Sequence, residues 1–336
     1  MTRVAINGFG RIGRLACKVI MEKFSGKIDI VAINDLTDTA TLAHLLKYDT
    51  AYGTFALPVE HNDKSLIIKG KKIHAFAEKD PSKLSWKKLK VDVVLECTGV
   101  FRTRDAALMH IKAGAKKVII SAPSKESDPV KGYVGGVNSN TYSGDAVIDN
   151  ASCTTNCTAP VVQIIDSAFG IEKAMLTTIH SYTSDQNLQD APHKDLRRAR
   201  AAAENMVPTS TGAAKATTGI LPHLKGKFDG MAVRVPTLTV SLTDFTFLLK
   251  KNVTTHEVNA VFSKAAKEKG WKGIFTVTSE PLVSSDFIGN SYSSVVDLNL
   301  TNVVDGNLVK VVAWYDNEWG YANRLIEMVH IVGQTL

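Results

Sequence analysis

The sequence predicts an α/β protein in two parts: a doubly wound parallel sheet, then an α+β half built on a mixed sheet. Three observations carry this. Short β-branched runs alternate with helical stretches up to about residue 150, the rhythm of β-α-β units. Beyond that point the strand-like stretches lengthen and fewer helices intervene. The chain has 336 residues, which suits two domains of about 100–200 residues each.

Each element has its own signal. "RVAIN" (3–7) reads as a buried strand, and "RIGRLACKVIMEKF" (11–24) puts Ile12, Leu15, Ala16, Val19 and Ile20 on one helical face. "IDIVAIND" (28–35) is the next strand, and "TDTATLAHLLKY" (37–48) opens like a helix with a Thr or Asp cap. "SLIIKGKKIHAF" (65–76) predicts a hairpin turning near Gly70. "VDVVLECTG" (91–99) and "KKVIISAP" (116–123) are strands flanking the helical "RDAALMHIKAGA" (104–115). In the second half, 173–183, 231–250, 291–300 and 308–317 are long and strand-like. Helical segments at 152–170 and 253–270 lie among them, and 318–332 closes the chain with helical periodicity.

Composition excludes several classes. Hydrophobic residues make up 44% and charged residues 22%, ordinary for a globular protein. No uncharged apolar run approaches the roughly 20 residues of a membrane span. The chain opens on a strand-like run rather than a secretory pattern, and "IVGQTL" carries no lipidation signal, so a cytoplasmic location is expected. A net charge of +7 favours anionic partners as a broad class. No RRM-like aromatic platform or arginine-rich tail points to nucleic acid.

"NGFGRIG" holds Gly8, Gly10 and Gly13 in the G-x-G-x-x-G pattern, after a strand and at the opening of a helix. Gly8 permits the tight turn, Gly10 lets the backbone approach a pyrophosphate, and Gly13 lets helix and strand pack. The pyrophosphate sits at the positive helix N-terminus. Asp35 ends the second strand, where a carboxylate accepts from both hydroxyls of an adenosine ribose and repels a 2′-phosphate. This predicts a Rossmann-type dinucleotide-binding domain that takes NAD in preference to NADP.

"NASCTTNCTAP" (150–160) holds two of the four cysteines. In a helix, Cys153 and Cys157 would have Cβ atoms about 5–6 Å apart, too far for the 3.5–4.5 Å of a disulfide. Two cysteines without a second pair supply only half a zinc site, so no metal is expected. Ser152 looks like an N-cap, which puts Cys153 in the first helical turn, where the dipole lowers a thiol's pKa. The local sequence leaves a nucleophile and a packed thiol as competing readings of Cys153. Cys157, a turn deeper, reads as packed. His180, at the end of a strand and before a polar loop, is the candidate base.

"INGFGRIGR", "ASCTTNC", "HSYTSDQ", "PTSTGAAKA", "RVP" and "WYDNEWGYANR" together resemble the phosphorylating glyceraldehyde-3-phosphate dehydrogenases, in family order from residue 6 to 324. The resemblance implies an NAD-binding domain of 1–151 and 317–336, a catalytic domain of 152–316, and a homotetramer with the loop around 181–204 at an interface. It implies that Cys153 attacks glyceraldehyde 3-phosphate to form a hemithioacetal, with His180 as base. Hydride loss then leaves a thioester that inorganic phosphate cleaves to 1,3-bisphosphoglycerate. Thr183, Arg197 and Arg234 match the substrate-phosphate residues; Arg198, beside Arg197, is a possible substitute but reads as structural. Ser152, Thr154, Thr211 and Gly212 match those for inorganic phosphate. Arg11, Ile12, Lys79 and Ser121 match cofactor contacts, and Asn317 matches the residue that holds the nicotinamide amide.

The resemblance also marks a departure. Ala191 stands before Pro192 where many bacterial relatives carry leucine near the adenosine ribose, which weakens exclusivity for NAD. Two alternatives compete. Erythrose-4-phosphate dehydrogenase would hydrolyse the acyl-enzyme with water, and the intact phosphate residues argue against it. A nucleic-acid or surface-binding role would leave the Cys153–His180 pair superfluous, except as a secondary activity.

Overall fold

Strand β1 (Thr2–Asn7) lies between two parallel neighbours, β2 (Ile28–Asn34) and β6 (Val93–Glu96). The reversal of strand order at β1 makes a switch point, where an α/β sheet opens a crevice at its carboxyl ends. The computed structural model describes residues 1–125 and 127–336. These divide into two units, Met1–Ser152 with Ala322–Leu336, and Cys153–Tyr321.

The first unit carries a nine-stranded sheet. Besides those three strands it contains the meander β3 (Val59–Asn62), β4 (Ser65–Ile68) and β5 (Lys71–Phe76). On the other side stand β7 (Lys117–Ile120), β8 (Lys131–Gly132) and β9 (Val147–Asp149). The order is β8-β9-β7-β6-β1-β2-β5-β4-β3. Three helices connect strands: α1 (Arg11–Val19), α2 (Thr39–Lys47) and α3 (Arg104–Lys112). Asp38 caps α2 by accepting from the Thr41 N–H at 2.9 Å, and Thr103 caps α3 through the Ala106 N–H. The helix expected over 11–24 stays α-helical only to Val19 and continues as a π-helical turn, Ile20–Phe24. Trp86, wholly buried, donates its indole N–H to His110 Nδ1 inside the core.

The second unit has a mixed sheet, as the sequence predicts. Its strands are β10 (Ile171–Ser181), β11 (Val207–Ser210), β12 (Phe228–Val235), β13 (Ser241–Leu249), β14 (Phe275–Thr278), β15 (Ser294–Asp297), β16 (Asn302–Val304) and β17 (Leu308–Tyr315). The order is β11-β12-β10-β13-β17-β15-β14, with β16 added on β17. Helices α4 (Cys153–Phe169), α5 (Ala213–Ile220) and α6 (Thr255–Ala265) pack on this sheet, and α6 begins with a Thr254–Glu257 capping box. Helix α7 (Trp319–Gly333) starts in this unit and runs into the C-terminal segment of the first.

One expected strand divides. The stretch 231–250 breaks between Val235 and Ser241, because Pro236 has no N–H to continue a ladder and Val240 takes a φ of +72°. The halves land on opposite sides of β10, β12 parallel and β13 antiparallel to it. This division brings the chemistry together. His180 pairs with Arg234 across β10 and β12, and Ser241 pairs with Tyr315 across β13 and β17, so one end of the sheet collects all four.

Candidate active site

In the first unit a cavity of about 430 Å³ opens at the carboxyl ends of β1, β2 and β6. Gly8, Gly10, Asp35 and Lys79 of the expected cofactor residues line it, beside Thr98 and Phe101. Gly8 has a φ of +89°, and a Cβ there would stand 2.7 Å from the Thr98 backbone nitrogen. A Cβ on Gly13 would collide with the Gly8 carbonyl oxygen, so the helix could not lie this close to the loop. Space stands open where a Cβ of Gly10 would be, which leaves the first turn of α1 uncovered. Asp35 is oriented by the N–H groups of Phe9 (2.8 Å) and Thr37 (3.0 Å). Each oxygen keeps a further lone pair for a hydroxyl. A helix N-terminus, a cleared glycine loop and an oriented carboxylate fit a dinucleotide.

The remaining expected cofactor residues lie outside that lining. The Arg11 guanidinium pairs with Asp49 at 2.9 Å. Ile12 is half-buried in the first turn of α1, and Ser121 follows β7 with its N–H on the Glu96 carbonyl. Asn317 belongs to the second unit. Beneath the cavity is a polar layer that sequence reasoning missed. Asn34 donates to Asn7, Asn7 donates to Glu96, and Glu96 accepts from the Thr98 N–H, at 2.7, 2.6 and 2.8 Å. The only signal for it was polar residues at the ends of otherwise apolar strands.

In the second unit, Cys153 opens α4 and its Sγ lies 3.5 Å from Nε2 of His180, at the end of β10. His180 is 4% exposed. Its Nδ1 lies 2.7 Å from the Ser181 carbonyl oxygen and 3.2 Å from Arg234 Nη1. The shorter contact calls for an N–H on Nδ1, the tautomer that turns the Nε2 lone pair to the sulfur. Burial, then the Arg234 guanidinium, pushes the His180 pKa down to about 3. The imidazole is therefore neutral at physiological pH.

The expectation that the helix end lowers the Cys153 pKa is corrected here. Burial raises it, and the opposing pull of Arg234 and of hydrogen bonds with Thr154 does not overcome that. Cys157 is wholly buried, held at 3.7 Å from the Ser294 hydroxyl, with a pKa pushed up to about 12 by burial. It packs, as its depth in the helix predicts.

The expected anion residues separate by geometry. Arg234 reaches the Ser181 carbonyl and the Thr183 hydroxyl through Nη1, both at 3.2 Å, while its buried Nε has no partner among the described residues. Arg197 is exposed, and its N–H caps back onto Asp195. Arg198 is the inward one. It bonds Thr209, Asp185 and the Ser210 carbonyl, and its charge reaches both His180 and Arg234. Thr211 accepts from the Ala213 N–H, with Gly212 as the N-cap of α5. The Thr154 hydroxyl is bound to the Tyr315 hydroxyl at 2.9 Å, and its backbone N–H, in the first turn of α4, bonds towards the Cys153 sulfur. Ser152, half-buried, immediately precedes that turn. Asn317 is buried, and its Oδ1 accepts from Ser181 and Ser241. Tyr315 and the two serines carry no sequence signal beyond their proximity to the quoted motifs.

A thiol beside an imidazole and two inward guanidiniums in the second unit, and a glycine-lined cavity with an oriented carboxylate in the first, invite comparison with known proteins. A family model described as the glyceraldehyde 3-phosphate dehydrogenase NAD binding domain matches residues 2–104, and one described as the C-terminal domain matches 152–317. Glyceraldehyde-3-phosphate dehydrogenase of Thermotoga maritima is 55% identical over 333 residues, 99% of each chain. That of Streptomyces coelicolor is 52% identical over 336 residues, again 99% of each. That of Geobacillus stearothermophilus is 52% identical over 328 residues, 97% of this chain and 96% of its own. With both domains matched and half of all residues shared along the full length, this chain belongs to the glyceraldehyde-3-phosphate dehydrogenase family.

Proposed function

We propose that Cys153 and His180 oxidise D-glyceraldehyde 3-phosphate to 1,3-bisphosphoglycerate with NAD and inorganic phosphate, as a step of glycolysis and gluconeogenesis. The chain is an oxidoreductase of its family, with an NAD-binding first domain. The observation that carries the residue assignment is the 3.5 Å approach of Sγ to an imidazole nitrogen whose ring partner is already committed to a carbonyl.

The steps follow from these groups. As the sulfur attacks the aldehyde carbon, His180 Nε2 takes the thiol proton and passes it to the carbonyl oxygen, giving a hemithioacetal. The Cys153 N–H, at the start of α4, stabilises the oxygen while it carries charge. His180 next takes the hydroxyl proton as hydride leaves the carbon. NAD, when bound, supplies the acceptor for that hydride. The product on the enzyme is a thioester, which conserves the oxidation energy. The imidazolium gives its proton to water, as its depressed pKa favours. A phosphate oxygen then attacks the acyl carbon, the C–S bond breaks, and the phosphate's proton goes to the departing sulfur.

Arg234 and Thr183 are assigned to the substrate phosphate, with Arg198 rather than the exposed Arg197 as the second cation. Burial first, and then the neighbouring charge of Arg198, weigh against the Arg234 guanidinium, and an anion bound there would relieve both. Ser152, Thr154, Thr211 and Gly212 are assigned to inorganic phosphate through helix-start N–H groups and hydroxyls. Gly8, Gly10, Arg11, Ile12, Gly13, Asp35, Lys79 and Ser121 are assigned to the dinucleotide, and Asn317 to the nicotinamide amide. We assign 1–151 with 317–336 to the NAD-binding domain and 152–316 to the catalytic one by family resemblance; by compactness the chain divides instead after Ser152 and after Tyr321, so Asn317 packs with the second unit.

A cytoplasmic homotetramer is the matching assembly. Met175 and Met231 stand exposed on the large sheet of the second unit, and Leu188, Leu196 and Met206 are each more than three-quarters exposed in the following loop. Apolar surface of this kind favours burial against another copy. No helix of the described residues is long and apolar enough to cross a membrane.

The test is NADH formation from glyceraldehyde 3-phosphate, with and without phosphate, and with NADP replacing NAD. Turnover should need phosphate and should prefer NAD. Sustained turnover without phosphate would overturn the phosphorylating reading, and equal use of NADP would show that Asp35 does not select the coenzyme.

A further inference from the structure

Ser181 and Ser241 donate their hydroxyl hydrogens to the same atom, Oδ1 of Asn317, at 3.0 and 2.9 Å. All three residues are buried. The Ser241 oxygen also accepts from the Ser181 N–H at 3.2 Å, so its own hydrogen is left for the amide. With Oδ1 held twice, the Asn317 NH₂ group faces away from the serines. A reversed amide would take from both buried hydroxyls the oxygen that accepts their hydrogens, at the cost of two hydrogen bonds.

The backbone beside this amide is also fixed. Asp316, 1% exposed, accepts from the N–H groups of Gly289, Glu318 and Trp319 at 2.8–3.0 Å and from the Thr239 hydroxyl at 3.2 Å. The amide plane is then the one remaining rotor of Asn317, and the two hydroxyls set it. Ser181 has a second attachment. Its carbonyl oxygen accepts the His180 Nδ1–H and a hydrogen from Arg234. One residue thus joins the base, the guanidinium and the amide.

We infer that Ser181 and Ser241 are positioning residues, a two-hydroxyl clamp that presents the Asn317 NH₂ to the carboxamide oxygen of a nicotinamide ring. The clamp thereby determines which face of the ring meets the reacting carbon. The inference rests on the assignment of Asn317 to the nicotinamide amide. It adds what sets that amide's orientation: without the hydroxyls, oxygen and nitrogen of Asn317 exchange places freely, and half of its orientations offer the ring the wrong group.

The experiment compares Ser181→Ala, Ser241→Ala, the double variant and Asn317→Ala. Calorimetry measures the affinity of each for NAD and for ADP-ribose, which lacks only the nicotinamide. The double variant should bind NAD about tenfold more weakly, the loss expected for one to two neutral hydrogen bonds. Its ADP-ribose affinity should stay within about twofold of wild type. Each single variant keeps one hydroxyl and should fall between. With 1-deuterated aldehyde as substrate, the double variant should place measurable deuterium on the second face of NADH. If Asn317→Ala loses NAD affinity while the double serine variant loses neither affinity nor facial selectivity, the clamp is wrong. Parallel weakening of NAD and ADP-ribose in the double variant would also overturn it, because the loss would not be at the nicotinamide. If Asn317→Ala itself leaves NAD binding intact, the assignment of Asn317 fails and the clamp fails with it.

Discussion

Cys153 Sγ and His180 Nε2 meet at 3.5 Å, while Nδ1 of the same ring lies 2.7 Å from the Ser181 carbonyl oxygen, a contact that calls for an N–H there and turns the Nε2 lone pair to the sulfur. The reactivity of Cys153 rests on proton transfer to a ring already turned to receive it.

The first prediction is a contrast between neighbours. Cys153→Ser should abolish turnover, since a serine hydroxyl is far less ionisable and a poorer nucleophile. Cys157→Ser should keep most of it, with at most a small drop in the unfolding midpoint, because the smaller hydroxyl loses packing at a wholly buried position but can still bond Ser294. Steady-state rates and denaturant melts on both variants measure this. Equal loss of activity in two folded variants would refute the division of roles.

A second prediction uses the pH dependence of stability. In the unfolded chain His180 titrates near 6.5, whereas in the folded chain its pKa is about 3. Between these values the unfolded state binds the extra proton, so His180 costs no stability above about pH 6.5 and removes it progressively as pH falls towards 3. The slope for one proton is at most about 1.4 kcal/mol per pH unit. Urea melts from pH 7 to pH 4 should show a shallower loss for His180→Asn than for wild type. The same variant should also lower the rate by about 10²–10⁴-fold, as loss of a placed base does. Identical acid slopes would mean that His180 is not held neutral.

The third prediction separates two adjacent arginines. Arg198→Ala should raise KM for glyceraldehyde 3-phosphate about tenfold or more, the value of a hydrogen bond to a charged group. Its effect on unphosphorylated glyceraldehyde should be small. Arg197→Ala, which removes an exposed side chain, should change KM by no more than about twofold. A larger effect at Arg197 would restore the expectation drawn from the sequence.

The parts of the fold and site that could be read in the sequence are those set by local chemistry. Gly8 and Gly13 announce their turn because a Cβ at either would collide with the backbone, and the β-branched strands announce a parallel core. The mixed second sheet follows from strand-like length alone. What was illegible depends on partners distant in sequence. Pro236 alone does not say that β12 and β13 would flank β10. Nothing near Arg197 and Arg198 says which one turns inward, since that depends on Asp185 and Thr209. The pKa direction of Cys153 was misread for the same reason. The helix end is local and visible, whereas the burial that overrides it comes from the whole unit.

Tyr315 has a consequence for how the chain matures. Its hydroxyl touches both Thr154, beside the nucleophile, and Thr178, two residues before the base, each at 2.9 Å. It is wired to both arms of the catalytic pair but is translated about 160 residues after one and 135 after the other. A nascent chain still short of that tyrosine lacks this link, although α4 and β10 also touch each other directly. We expect alkylating reagents to react more slowly with Cys153 in chains that stop before Tyr315 than in completed molecules, and equal rates would show that the link is dispensable.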